Sequence, residues 1–173
     1  FQYLVDNFED IEYITGRFYL GGNRNVVYKD KNFAYPIRSV HPDHKYLENT
    51  QVVNGRYINE TDIDDFRKVA VIGKVIKEDV FEEEDPIGKQ ILIGNISYTV
   101  IGVFEDTGGE WEMRNIYIPV STAQKVYSKS ERLHQIMLTG KDLSVSEMKM
   151  MEEEIRAVLA SRLEFDPEDR QAL

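Results

Sequence analysis

The sequence predicts an α+β fold, and three observations support this prediction. First, strand-length apolar runs alternate with short polar segments, as in residues 68–72 and 96–104. Second, capping patterns such as Ser144 with Glu147 mark the starts of helices between those runs. Third, a chain of 173 residues with 42% apolar and 11% aromatic residues can build a sizeable hydrophobic core. The alternation also indicates that some connections are of the βαβ kind.

The N-terminal third predicts a short helix followed by strands. Its first eight residues place apolar side chains at helical spacing. Residues 11–20 and 26–28 flank a Gly-Gly turn, which predicts a hairpin or two adjacent strands. Residues 35–40 predict another strand, and Pro36 favours an edge position for it because proline has no N–H to donate to a neighbouring strand.

The middle of the chain gives the clearest patterns. Thr61 with Asp64 matches a capping pattern and predicts a brief helical turn. Residues 68–72 predict a buried strand, and residues 74–81 predict a short helix after it.

A predicted hairpin, a loop and a short strand follow. Residues 90–93 and 96–104 flank a Gly-Asn pair, which suits a two-residue hairpin turn of type II′. Residues 106–115 predict a loop that contains Trp111, and residues 116–119 predict a strand.

The C-terminal part predicts two capped helices with a strand between them. Ser121 with Gln124 and Ser144 with Glu147 are capping boxes, and residues 133–139 predict the strand. The second helix, ending near residue 163, is the stronger one because apolar residues recur on one face at steps of three and four. These are Val145, Met148, Met151, Ile155, Val158 and Leu159.

Charge and cysteine content exclude several classes of function. The net charge is −10, and no basic stripe offsets it, so nucleic acid and anionic membrane surfaces would be repelled. There is no cysteine, which excludes disulfides, cysteine-ligated zinc and a thiol nucleophile. No apolar run approaches the roughly 20 residues that a membrane-spanning helix needs.

Residues that could carry chemistry do not form a known catalytic or metal-binding pattern. His41 and His44 are interpreted as surface loop residues, and His134 as a strand residue facing solvent or a neighbour. Asp62, Asp64 and Asp65 lack the spacing of a calcium loop. Nucleophile-elbow and phosphate-binding motifs are absent from the sequence. We therefore predict no enzyme and no cofactor.

Two further features leave packing and binding as alternatives. Met148, Met150 and Met151 could form a pliable binding surface, but their place on an amphipathic helix favours core packing. Trp111, in a glycine-rich loop, is a candidate for partner contact, with simple packing as the alternative.

Five ordered segments of the chain resemble the MacB-like periplasmic core domain of FtsX-like ABC transporter permeases. The segments are residues 55–58 (GRYI) with Asp62, residues 69–73 (VAVIG), residues 80–93 with Val80-Phe81, DPIGK at 85–89 and ILI at 91–93, residues 98–103 (YTVIGV), and residues 116–124 (IYIPVSTAQ). No single segment is specific, but their common order over about 70 residues is.

The resemblance implies a two-lobed ectodomain without catalytic residues. A porter-like βαβ lobe would use residues 1–56 and 114–173, and a smaller mixed α/β lobe of the sabre type would be inserted as residues 57–113. The motif residues would be structural: Gly55, Arg56, Gly73, Pro86, Gly88, Lys89, Gly102 and Pro119.

The resemblance also implies location and partners. The domain would lie on the periplasmic or extracellular face of the cytoplasmic membrane, anchored by flanking membrane helices. It would couple cytosolic ATP hydrolysis to movement or release of a client. Its partners would be a second permease copy, a cytosolic ATPase subunit or domain acting through the membrane helices, and a periplasmic adaptor or client.

Other functions remain open from the sequence. Within the same family, the domain could belong to a signalling permease that regulates a cell-wall hydrolase or senses a peptide. Outside it, the chain could be a free-standing extracellular module that binds a glycan or peptide. Membrane helices flanking this region in the parent protein would favour the permease.

Overall fold

A computed structural model describes residues 1–20, 25–128 and 130–169. The strands are β1 (Ile11–Tyr19), β2 (Val26–Tyr28), β3 (Lys31–Phe33), β4 (Ile37–Val40), β5 (Gln51–Gly55), β6 (Val69–Gly73), β7 (Gln90–Ile93), β8 (Ile96–Glu105), β9 (Ile116–Pro119) and β10 (Gln135–Gly140). The helices are α1 (Gln2–Asn7), α2 (His44–Leu47), α3 (Glu60–Asp64), α4 (Lys74–Ile76), α5 (Val120–Ala123) and α6 (Val145–Leu163). A π-helical turn extends α4 over Lys77–Phe81, and another extends α5 over Gln124–Ser128.

The strands form one mixed sheet, which confirms the predicted mixing of strands and helices in an α+β fold. Its order is β10-β1-β4-β9-β6-β8-β7-β2-β3. The pairs β4–β9 and β6–β8 are parallel, whereas β6–β9, β7–β8 and β1–β4 are antiparallel. One side of β8 pairs with β7 through its first half and with β5 through its second half.

The buried centre of the sheet is β6, in which every residue from Val69 to Gly73 is buried. Continuous burial explains why this strand shows an unbroken apolar run instead of an alternating one. The strand β9 is buried along its length as well. The predicted strand at 68–72, the hairpin β7–β8 and the strand at 116–119 are therefore confirmed.

Contacts within the chain divide it into two compact units. The terminal unit consists of Phe1–Glu12 and the chain from Leu138 onward, and the central unit is Tyr13–Met137. The lobe boundaries predicted from the resemblance, after residues 56 and 113, stay a prediction.

The predicted pairing of residues 11–20 with 26–28 is wrong. The strand β1 lies beside β4, and β2 lies between β7 and β3. The Gly-Gly turn of that prediction falls outside the described residues. The predicted edge position of residues 35–40 is wrong too, because β4 is an interior strand between β1 and β9. Pro36 precedes β4, so its missing N–H interrupts no pair, and its carbonyl accepts from Ile116 N–H at 3.0 Å.

Two of the three predicted helix-capping patterns differ in the structure. The helix α3 begins with a capping box of Asn59 and Asp62, not of Thr61 and Asp64. The helix α5 follows Pro119 directly, and the Ser121 hydroxyl donates instead to the carbonyl of Ile63 at 2.6 Å. The capping box of Ser144 and Glu147 is confirmed as the start of α6.

The helix α6 keeps the predicted apolar face with one exception. Met151 and Ile155 are buried, and Met148, Val158 and Leu159 are half-buried, but Val145 is exposed. Met150 is exposed as well, which contradicts its assignment to core packing. The helix ends at Leu163 because Glu164 adopts a left-handed conformation, with φ +58°.

Candidate functional site

Two of the family-motif glycines allow backbone segments to approach each other in the centre of the sheet. A Cβ atom on Gly102 would lie 2.2 Å from the carbonyl oxygen of Arg56. One on Gly73 would lie 2.0 Å from the carbonyl oxygen of Met113. Neither contact can relax by a side-chain rotation because both neighbours are backbone. These glycines therefore fix the path of the chain and offer no chemistry.

Two other motif glycines differ in kind. Gly55 has φ +74° and opposes Gly102 in the β5–β8 pair, where a Cβ would meet the carbonyl of Ile101 at 2.2 Å. Gly88 has φ +80°, but a Cβ there would meet nothing within 4 Å. Gly88 is thus required for its backbone conformation alone, whereas Gly55 is required for conformation and space.

Arg56 and Asp62, which the resemblance placed at the start of one motif, form a bidentate ion pair. The Arg56 guanidinium donates to the two carboxylate oxygens of Asp62 at 2.5 and 3.0 Å. The Asp62 side chain is fully buried, and the Asn59 N–H donates to it at 3.1 Å. Burial opposes ionisation of Asp62, but these hydrogen bonds outweigh it and hold the pKa of the carboxyl below its usual value. The pair fastens the start of α3 to the end of β5.

Lys89 belongs to a cluster of charges around Glu84. The Lys29 and Lys89 ammonium groups each lie 2.7 Å from the Glu84 carboxylate, and the Tyr28 hydroxyl donates to it at 2.8 Å. These donors lower the pKa of Glu84 to about 2. A depression of about 280 Å³ lies beside the cluster, lined by residues 28–31 and 80–84. Among its lining residues, Lys29 pairs with Glu84 and Lys31 pairs with Glu82.

The two motif prolines are buried at chain turns. Pro86 precedes the turn at Gly88, and its carbonyl accepts from Lys89 N–H at 3.1 Å. Pro119 ends β9, where it pairs with Val40, and it is the residue before α5. Its fixed φ suits that position at the start of a helix.

His44 is fully buried, so its interpretation as a surface residue is wrong. Its Nε2 lies 2.8 Å from the guanidinium of Arg17, which also pairs with Glu48, and its Nδ1 lies 3.1 Å from the Tyr57 hydroxyl. A guanidinium only donates, so Nε2 accepts and Nδ1 carries the proton of the neutral ring. Burial, and then the nearby arginine charges, lower the pKa of His44 to about 3.

His41 is half-buried and also differs from a solvated loop residue. Its Nδ1 accepts from the N–H of Gly16 at 3.0 Å. Burial lowers the pKa of His41 to about 4. Sequence reasoning missed the partners of both histidines, because Gly16 and Arg17 lie more than 20 residues earlier in the chain. His134 lies beside β1 as predicted, with its Nδ1 accepting from Tyr19 N–H at 3.1 Å.

Trp111 is 72% exposed in the structure, which removes simple packing as its explanation. It lies in residues 106–115, named here the Trp111 loop.

The aspartates of the α3 region pair with arginine side chains. Asp62 pairs with Arg56 and lies 3.9 Å from Arg67, and Asp65 pairs with Arg67 at 2.9 Å. Within residues 1–20, 25–128 and 130–169, no group of three or more histidine or acidic side chains could hold a metal ion. Nor does any described helix combine the length and apolarity needed to cross a membrane.

Comparisons with known proteins agree with this geometry. The MacB-like periplasmic core domain family matches residues 2–158. The chain is 32% identical over 116 residues to the macrolide export ATP-binding/permease protein MacB of Chlorobaculum tepidum, which is 65% of this chain and 18% of that protein. It is 33% identical over 144 residues to the pyoverdine export ATP-binding/permease protein PvdT of Pseudomonas savastanoi pv. phaseolicola, or 80% of this chain and 22% of that protein.

A solved structure extends the likeness to the fold. The periplasmic region of MacB from Actinobacillus actinomycetemcomitans matches with a TM-score of 0.80 at 21% identity, covering 94% of this chain and 72% of that one. The chain spans only about a fifth of the length of the two curated relatives.

Proposed function

The chain belongs to the family of MacB-like periplasmic core domains, and from this premise we propose that it is the extracytoplasmic domain of an ABC exporter permease. In that role it would transmit the movement of membrane helices to a client outside the cytoplasmic membrane. We assign no catalytic or cofactor-binding residue to this domain. A separate ATPase, acting through the membrane helices, would supply the energy.

The observation that carries the proposal is the structure of the terminal unit. The guanidinium of Arg162, one residue before the end of α6, lies 4.1 Å from the centre of the Tyr3 ring in α1. This cation–π contact places the beginning and the end of the domain side by side. Membrane helices continuing from the two ends would then reach the domain at the same place and could move it together.

Further contacts strengthen the terminal unit. The Asp10 carbonyl accepts from Lys141 N–H at 2.8 Å, which joins the chain after α1 to the chain before α6. The side chain of Arg156 donates to the Pro167 carbonyl at 2.6 Å and to the Asp169 carbonyl, so the segment after α6 folds back along the helix. A unit tied in this way suits the transmission of force better than two independent tails.

The test replaces this domain with a Gly/Ser linker in the full-length permease. We expect export to be lost while the membrane abundance and basal ATP hydrolysis of the complex remain, because the ATPase lies elsewhere. Unchanged export would exclude the mechanical role. ATP hydrolysis that rises with cargo separates an exporter from the signalling permease, in which no cargo is moved.

The assembly of the parent protein is part of the same proposal. A second permease copy would bring a second ectodomain, and a periplasmic adaptor or the client itself would contact the domain surface. With a charge of −10 on each copy, two isolated domains repel each other, so the membrane helices would supply most of the association. The isolated chain should therefore be monomeric.

A further inference from the structure

The side chain of Trp111 is exposed and has no packing role, which is unusual for a tryptophan. Trp111 is the single tryptophan of the chain, and 72% of it is exposed to solvent. Tryptophan is the residue type most enriched where a few side chains provide most of the binding energy of a protein interface. An exposed tryptophan therefore needs either a partner or a structural reason, and the structure provides no structural reason.

The Trp111 loop is held at its base. The guanidinium of Arg38 lies 2.9 Å from the Glu112 carboxylate, with both side chains half-buried. The buried Asn115 amide donates to the Glu112 carbonyl at 2.8 Å, and the Asn115 carbonyl accepts from Gly73 N–H at 3.1 Å. Because these bonds order the residues on the C-terminal side of Trp111, less conformational entropy is lost when a partner binds.

Once the ion pairs near Trp111 in the chain are accounted for, the charge that remains unpaired is negative. The basic side chains in this region are already paired: Arg38 with Glu112 at 2.9 Å, Arg114 with Asp79 at 3.4 Å and Lys74 with Glu105 at 2.5 Å. Glu110, directly before Trp111, is exposed and has no basic side chain within ion-pair distance among the described residues. Asp106 is not available in the same way, because one of its carboxylate oxygens is buried and the other accepts from Gly108 N–H at 2.7 Å. An exposed indole next to an exposed, unpaired carboxylate is complementary to a cation.

We propose that the Trp111 loop is a docking site for a basic segment of a partner protein, which lays a lysine or arginine side chain on the indole. The aliphatic stem of that side chain would cover the ring, and its cationic head would reach Glu110. A second copy of this chain is a poor occupant because it carries the same net charge of −10. The inference builds on the proposed function only in expecting a partner, and its test involves no transport.

The experiment uses the 173-residue chain and a fluorescein-labelled decapeptide of alternating arginine and leucine. A decapeptide with glutamate in place of arginine is the reference. Binding is followed by peptide anisotropy and by the emission of Trp111, which reports only this loop because no other tryptophan is present. We expect saturable binding of the arginine peptide, weakened by salt, with a shift of Trp111 emission and no binding of the glutamate peptide.

Three variants locate the site. Trp111→Leu should weaken binding about 2- to 30-fold, the range that a cation–π contact spans, and Trp111→Phe should keep part of the affinity. Glu110→Gln should weaken it about twofold or more. The matched control is Glu153→Gln on α6, because that residue is exposed and the change in net charge is the same.

Several outcomes would overturn the proposal. These are absence of binding by the arginine peptide, equal binding by wild type and Trp111→Leu, and equal weakening by the α6 control variant. An equal Trp111 response to the glutamate peptide, to phosphatidylcholine vesicles or to raised protein concentration would also overturn it. Loss of export in the full-length permease without any peptide response would leave the transport role standing and exclude this docking site.

Discussion

The strands at the centre of the sheet and the Trp111 loop lie close together in the chain but use their residues in opposite ways. In β6, β8 and β9, the family-motif residues are buried, and glycine is required because carbonyl groups of other segments lie against it. In the Trp111 loop, the most prominent residue belongs to no motif and is exposed. The difference teaches that the motif identifies the family through packing, whereas the docking site proposed above lies at a surface the motif does not describe.

The largest expected effect is at Gly102. We predict that Gly102→Ala lowers the free energy of unfolding by about 3 kcal/mol, because the added methyl group would overlap the Arg56 carbonyl. Gly88→Ala is the matched control, since that site has a positive φ but open space, and its loss should be about 1 kcal/mol. Chemical denaturation of both variants measures the difference. Equal losses would show that backbone conformation, not crowding, determines the need for glycine in the sheet.

The second effect concerns the buried ion pair. Asp62→Asn should lower the free energy of unfolding by about 2–3 kcal/mol, because Arg56 loses its partner and the capping box at α3 is weakened. Asp65→Asn is the control, since Asp65 is an exposed partner of Arg67 and should change stability by about 0.5 kcal/mol or less. A smaller loss at Asp62 than at Asp65 would contradict a structural role for this motif residue.

The third effect is a dependence of stability on pH. Below about pH 6.5 the unfolded chain binds protons at His41 and His44, whereas the folded chain does so only near pH 4 and pH 3. The unfolded state therefore binds more protons in this window, so the free energy of unfolding falls as pH falls from about 6.5 towards 4. Each histidine contributes up to about 1.4 kcal/mol per pH unit.

The variant His44→Gln isolates one of these contributions. The slope between about pH 6 and 5 should fall by about half, while the unfolding free energy at pH 8 changes only through the lost contacts with Arg17 and Tyr57. Urea denaturation at several pH values measures both quantities. An unchanged slope would mean that His44 titrates in the folded protein as it does in the unfolded chain.

The smallest expected effect is at the surface. Trp111→Ser should change the free energy of unfolding by less than about 0.5 kcal/mol, because the indole is mostly exposed. Thermal unfolding followed by circular dichroism measures this change, since the variant has no tryptophan left for fluorescence. A loss of 2 kcal/mol or more would mean that Trp111 packs against the domain, and the contrast with the strand core would disappear.

Sequence patterns over a few neighbouring residues predicted the elements that those neighbouring residues are sufficient to form. The strand β6 is a continuous apolar run, and the hairpin β7–β8 closes through two turn residues, so neighbouring residues were sufficient evidence. The pairing of β1 was not predictable in this way because Phe18 of β1 lies opposite Ser39 of β4. The strand β2 pairs with the adjacent β3, but its other neighbour is the distant β7, where Val26 lies opposite Ile93.

The same limit applies to the candidate site residues. The capping pattern predicted at Thr61 and Asp64 is replaced by one at Asn59 and Asp62, whose carboxylate is held by the ion pair with Arg56. Likewise, burial of His44 depends on Arg17 and Tyr57, which no local pattern connects to it. The residues after Trp111 are likewise held by partners distant in the chain, Arg38 for Glu112 and Gly73 for Asn115.

The measurement that tests the central claim most directly is cysteine labelling in intact cells. The chain has no cysteine, so Val145→Cys in a cysteine-free full-length permease places a single thiol at a residue that is 89% exposed. Ala70→Cys, at a fully buried position, is the control for unfolded protein. The account predicts that a membrane-impermeant maleimide labels residue 145, but not residue 70, once the outer face of the cytoplasmic membrane is accessible. Labelling of residue 145 only after the cytoplasmic membrane is broken would contradict an extracytoplasmic exporter domain.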